Sequence, residues 1–148
     1  GFTAYSEGWA LYSEALATEI PGTYQDPYNR FGQLTSEIWR AIRLVVDTGL
    51  HSKGWTEQEA IDFFMENSPE PLESVVSEIQ RYIVMPGQAT SYKIGMLKIQ
   101  ELRKRAEESL GEKFSLKTFH DKILGGGALP LPLLEKVIDR WIEQTLVD

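Results

Sequence analysis

DPYNRFGQLTSEIWRAIRLVVDTGL, Asp26 to Leu50, decides the fold class. Within it Phe31, Leu34, Ile38, Trp39, Ile42, Val45 and Val46 recur at steps of three and four, the period of a helix with one apolar stripe. Val45-Val46 is a β-branched pair that would suit a strand, but it sits inside the longer helical pattern, and the longer pattern wins. Asp26 before Pro27 supplies an N-cap and a proline at the first helical position. Gly49 and Gly54 mark the far end. The prediction is a helix from Pro27 to about Leu50.

The chain on either side reads the same way. Downstream, Thr56 with Glu59 three residues later forms a capping box, and a helix follows to Asn67. Ser68-Pro69-Glu70-Pro71 turns the chain into a helix from about Leu72 to Val84, broken by Pro86-Gly87. A long helix is expected from about Gln88 to Leu110, a short one from Ser115 to Leu124, and a last amphipathic one from Pro130 or Pro132 to about Leu146. Upstream, Thr3 to Ile20 is helical, stopped by Pro21-Gly22, with Thr3 or Ser6 as its cap. The result is an all-α chain: one irregular multi-helix domain of about seven helices, with no internal repeat and no linker long enough to divide it.

Composition narrows the function. At 148 residues and 42% hydrophobic content the chain can bury a core. A net charge of −7 argues against a nucleic-acid surface, since the one basic run, Arg103-Lys104-Arg105, is flanked by acids. With no cysteine there is no disulfide, thiolate metal site or cysteine nucleophile. No apolar run reaches the length of a transmembrane segment. The sequence shows neither a signal-peptide pattern nor an initiating Met and starts inside a helix-forming motif, so a piece of a longer protein is expected.

Three places could carry chemistry. Arg40, Arg43, Asp47 and His51 follow one another at steps of three, four and four, which makes one polar stripe if the helix runs through Gly49. Arg43 can pair with Asp47, and Asp47 can orient the His51 ring, the usual support for an acid–base or metal-binding imidazole. The competing reading is a solvated ion-pair ladder ending in a histidine. Next, the helix after Pro86-Gly87 offers free backbone N–H groups beside Gln88, Thr90, Ser91 and Tyr92. Such a start can hold an anion, and the Tyr92 hydroxyl could donate to a developing oxyanion. A plain helix start with an ordinary core tyrosine is the alternative. Third, Glu7 lies close to one helix face with Leu11 and Glu14, as either a carboxylate buried for a purpose or an amphipathic boundary residue. His120 reads as a surface or core histidine, and Gly125-Gly126-Gly127 as a helix stop rather than a phosphate loop. Two histidines and no H-E-x-x-H leave any zinc site incomplete within this stretch.

Taken together, EGWALYSE (Glu7 to Glu14), the run from Asp26 to Thr56, and RYIVMPGQATSYKIG (Arg81 to Gly95) resemble the C-terminal part of the bacterial domain-of-unknown-function 885 family. The tail wording GGGALPLPLLEKVI agrees. The resemblance implies half of a larger helical metallopeptidase fold of the gluzincin-like kind, acting on a peptide substrate by metal-assisted hydrolysis. It implies zinc in the full-length protein and none held by this stretch alone, because the helix with two His ligands and the general-base Glu lies upstream. Glu7 is then the third zinc ligand. His51 and Tyr92 bind substrate and steady the tetrahedral intermediate, with Arg43, Asp47 and Gln88 in support. Family members can be exported, as periplasmic proteins or lipoproteins. The alternative is a non-enzymatic helical module that binds a peptide or protein. Without the upstream helix, apolar surface around Glu7, Trp9 and the second helix is expected to be open and to drive self-association.

Overall fold

The computed structural model describes residues 2–147. It contains seven α-helices: α1 Thr3–Leu16, α2 Pro27–Ser52, α3 Glu57–Asn67, α4 Leu72–Val84, α5 Ser91–Leu110, α6 Leu116–Leu124 and α7 Leu131–Val147. Short 3-10 turns follow α1 and α5, and there is no strand among the described residues. No helix among them is long and apolar enough to cross a membrane.

Local chemistry sets most of the ends. The Asp26 side chain accepts from the Tyr28 N–H with Pro27 in the first turn, and Thr56 and Glu59 close their capping box. Ser115 caps α6 through the Thr118 N–H. Two ends differ from the sequence expectation. At α1 neither Thr3 nor Ser6 caps: Phe2 holds the cap position and no side chain bonds there. Helix α5 begins at Ser91, because residues 86–90 form turns after the break and Gly87 takes φ +78°.

The helices build two apolar cores. Helices α1, α5, α6 and α7 enclose one, with Leu11, Tyr12, Met96, Ile99, Phe119 and Ile138 at its centre. The other lies between α2, α3 and α4, around Val46, Phe64, Val75, Ile79 and Tyr82. Helices α1 and α5 run in the same direction, since Ala4 and Gly8 meet Gly95 while Tyr12 and Glu19 reach Arg103. They touch backbone to backbone: a Cβ on Gly95 would overlap the Ala4 carbonyl oxygen, and one on Gly8 would overlap the Gly95 backbone.

Helix α2 joins the two halves, and only part of its apolar periodicity is buried. Ile42 and Val46 are inside, together with Gln33, Arg43 and Asp47, whereas Phe31, Leu34, Ile38 and Val45 are 62%, 47%, 42% and 39% exposed. The reason is the face each residue occupies. Phe31, Leu34, Ile38 and Val45 line one side of the helix, rotated about a quarter turn from the side on which Trp39, Ile42 and Val46 meet the second core. The helix contributes to that core only from Trp39 onward. Its earlier turns meet the first half of the molecule through polar contacts. Lys93 pairs with Glu37 at 2.8 Å, and the Ser36 hydroxyl donates to Glu14 at 3.3 Å.

Candidate functional site

Arg43, Asp47 and His51 lie on successive turns of α2, and all three reach toward the end of α4 and the turn that follows it. Arg43 is buried. Its Nε donates to the Tyr82 hydroxyl at 3.0 Å and its Nη2 to Glu78 at 2.9 Å. The guanidinium carbon stands 4.5 Å from the centre of the Tyr92 ring, the geometry of a cation–π contact. Nη1 is buried with no partner among the described residues.

Tyr82 gathers the donors. Its hydroxyl accepts from Arg43 and from the Trp39 indole N–H at 3.3 Å, and donates to Glu78 at 2.6 Å. Arg81 adds hydrogen bonds to Glu78 through Nε and Nη2. Burial pushes the Glu78 carboxyl up, but the hydrogen bonds from Arg81, Tyr82 and Arg43 outweigh it and hold the group down at about 2. Burial first, and then the bond to Glu78, push the Tyr82 hydroxyl up to about 12.

Asp47 and His51 act on main chain. Both Asp47 carboxylate oxygens lie 3.1 Å from the Gly87 N–H, fixing the positive-φ residue of the α4–α5 turn. The His51 Nε2 is 2.9 Å from the Tyr82 carbonyl oxygen. A carbonyl can only accept, so Nε2 carries the hydrogen and Nδ1 is left free. Gln88 accepts from Arg81 Nη1 at 2.8 Å. The local pairs suggested by spacing do not form: Arg43 does not bond Asp47, and Asp47 does not bond His51. Each is drawn instead to a partner distant in sequence. Arg40 turns the other way, donating to the Ser36 carbonyl and hydroxyl and standing 3.9 Å from Glu14 on α1.

Tyr92, in the first turn of α5, is half-buried under Arg43, and its hydroxyl has no hydrogen-bond partner among the described residues. Glu7 is half-buried on α1, beside the Gly8–Gly95 contact, and has neither an ion pair nor a hydrogen bond among them. His120 packs against the first core. The Tyr12 hydroxyl lies 2.8 Å from its Nε2 and the Trp9 ring sits edge-on, while burial and the nearby Arg103 push its pKa down. No group of three His, Cys, Asp or Glu side chains converges among the described residues, so they do not fit a zinc ion unaided. Glu7 remains as one uncommitted carboxylate donor.

Five of the six residues to which the resemblance gives a role therefore gather around one turn: Arg43, Asp47, His51, Gln88 and Tyr92. Glu7 stands apart on α1. Sequence reading missed Glu78, Tyr82, Arg81 and Trp39, which tie these residues together. The one available signal was the spacing of Glu78, Arg81 and Tyr82 at three and four along α4.

The family model described as "Bacterial protein of unknown function (DUF885)" matches residues 1–138. A crystal structure described as "the putative lipoprotein from Colwellia psychrerythraea" is similar over 96% of the chain, with 48% sequence identity and a TM-score of 0.93. The chain spans 24% of that protein's length. The comparison with curated proteins found no match.

Proposed function

The chain belongs to the bacterial DUF885 family, and from that membership and the site we propose that the intact protein is a zinc-dependent peptidase to which this stretch contributes one metal ligand and part of the peptide site. What supports the reading is a pair of uncommitted polar groups at the same end of the α1–α5 pair. Glu7 adjoins Gly8, Tyr92 lies one turn before Gly95, and the two glycines are in contact. Neither side chain has a polar partner among the described residues, whereas the carboxylates of Asp47 and Glu78 are both held by hydrogen bonds.

The roles follow from position. Glu7 would offer its carboxylate to the metal, with the other ligands supplied from outside these residues. Bound zinc would polarise the peptide carbonyl and acidify a water. The Tyr92 hydroxyl donates to the carbonyl oxygen as it gains negative charge, and Arg43 against the ring face keeps the phenol from swinging away. His51 takes part through Nδ1, since Nε2–H is held by the Tyr82 carbonyl. Asp47 and Gln88 keep the α4–α5 turn in place for Tyr92. An exported location belongs to the same proposal and rests on the description of the similar protein as a lipoprotein.

The test is metal content and peptide hydrolysis of the intact protein. The wild type should hold stoichiometric zinc and hydrolyse peptides in a metal-dependent way. Glu7→Ala should lose metal, and Tyr92→Phe should keep it while kcat falls about 10²–10³-fold, the usual cost of one oxyanion donor. An intact protein with neither zinc nor metal-dependent hydrolysis would leave the non-enzymatic peptide-binding module, which the exposed apolar side of α2 favours.

A further inference from the structure

The exposed side of α2 has a repeat that neither core uses. Phe31, Leu34, Ile38, Ala41 and Val45 succeed one another at steps of three, four, three and four. That is the seam of a coiled coil, not the broader stripe of a helix lying on a globular core. All but Ala41 are exposed large apolar side chains. Along this seam lies a recess of about 250 Å³ lined by Leu34, Glu37, Ile38, Ala41 and Lys93. Its four α2 residues stand at i, i+3, i+4 and i+7, the diamond that receives one knob from a facing helix. The small Ala41 side chain leaves the recess open, and Lys93 closes its far wall with its ammonium already neutralised by Glu37 at 2.8 Å. The hole therefore suits an apolar side chain and gives no charge for a polar one to answer.

We propose that this seam is the docking site for an amphipathic helix from another part of the same polypeptide, packed along α2 with a large apolar side chain in the Leu34–Ala41 recess. The seam geometry specifies a helix: an extended peptide has no 3-4 period to match. Its length asks for about four turns of partner. The assignment to the same polypeptide rests on the similar lipoprotein. At 48% identity and a TM-score of 0.93 the same fold makes up 24% of that chain, so about three times this length of further polypeptide surrounds or adjoins it there. An open seam of this size beside so much additional chain is a surface to be covered within the molecule.

Photo-crosslinking of the intact protein tests this. Ile38→p-benzoylphenylalanine places the probe in the recess, and Phe31→p-benzoylphenylalanine, closer in shape to the native residue, places it at the end of the seam in case the first substitution disturbs folding. The expected product keeps the monomer mass and, after digestion, joins α2 to a helical peptide outside these 148 residues. A dimer-mass product would overturn the proposal in favour of a second copy on the seam. Absence of a protein crosslink from both positions would overturn it by showing a solvent-facing surface. None of these readouts involves metal or hydrolysis, so they stand or fall separately from the peptidase reading.

Discussion

Glu78 is the residue on which the buried guanidinium of Arg43 depends. Its pKa falls from 4.5 to about 2 in the folded protein, so its contribution is fully present above about pH 4.5 and is lost as pH falls toward 2. The shift corresponds to roughly 3 kcal/mol. Glu78→Gln should lower stability by about that amount, because it leaves Arg43 buried without its counter-charge. It should also flatten the loss of stability between pH 4.5 and 2, read by urea denaturation across that range; an unchanged acid limb would show that other carboxylates set it. Little of this was legible in the sequence. The stripe Arg43, Asp47, His51 stands out by spacing, but spacing reports only neighbours on the same helix. Glu78 is 35 residues from Arg43, and the Gly87 N–H is 40 residues from Asp47. Such partners belong to the packing of helices, which periodicity does not encode.

Among the elements, α1 and α5 make the closest contact. Gly95→Ala puts a methyl group into the Ala4 carbonyl, main chain that cannot rotate out of the way. It should therefore cost at least the upper end of the usual overpacking range, about 3 kcal/mol, with a corresponding drop in Tm. A Gly95→Ala variant as stable as wild type would mean that the helices can part at no cost. Helix limits were largely legible, because caps are local chemistry: Asp26 with Pro27, Thr56 with Glu59, and Ser115 each set an end on their own. The start of α5 was not, because a Pro-Gly break says where one helix stops and not how many turn residues precede the next. Which side of α2 is buried was not legible either: the period places Ile42 and Val46 on one side and Phe31, Leu34, Ile38 and Val45 on an adjacent one, but a period cannot tell which side meets a neighbour.

At the scale of the whole molecule, the two cores are separate apolar bodies held together largely by polar contacts: Lys93 with Glu37, Ser36 with Glu14, Arg43 over Tyr92. The seam of α2 crosses from one body to the other on the outside. Nothing among the described residues covers it, so this chain alone should self-associate at high concentration, and Ile38→Glu should keep it monomeric in sedimentation velocity. Since Ile38 is already 42% exposed, the same substitution should change Tm little. A monomeric wild type would show that the open seam is tolerated in water. The sequence made the fold class plain, because every segment carries the same period. It gave the candidate site only in part: the residues were visible, but their convergence on the α4–α5 turn required the tertiary structure.

The contact between Gly8 and Gly95 has a mechanical consequence. Side chains at an interface can change rotamer and let two helices slip or swing, whereas main chain against main chain has no such slack. The spacing between Glu7 and Tyr92 is thereby gauged by the backbone itself, like two marks on one rigid bar. Any opening or closing of the site must then come from what approaches the bar, and the bar itself should read the same length with the site empty or filled.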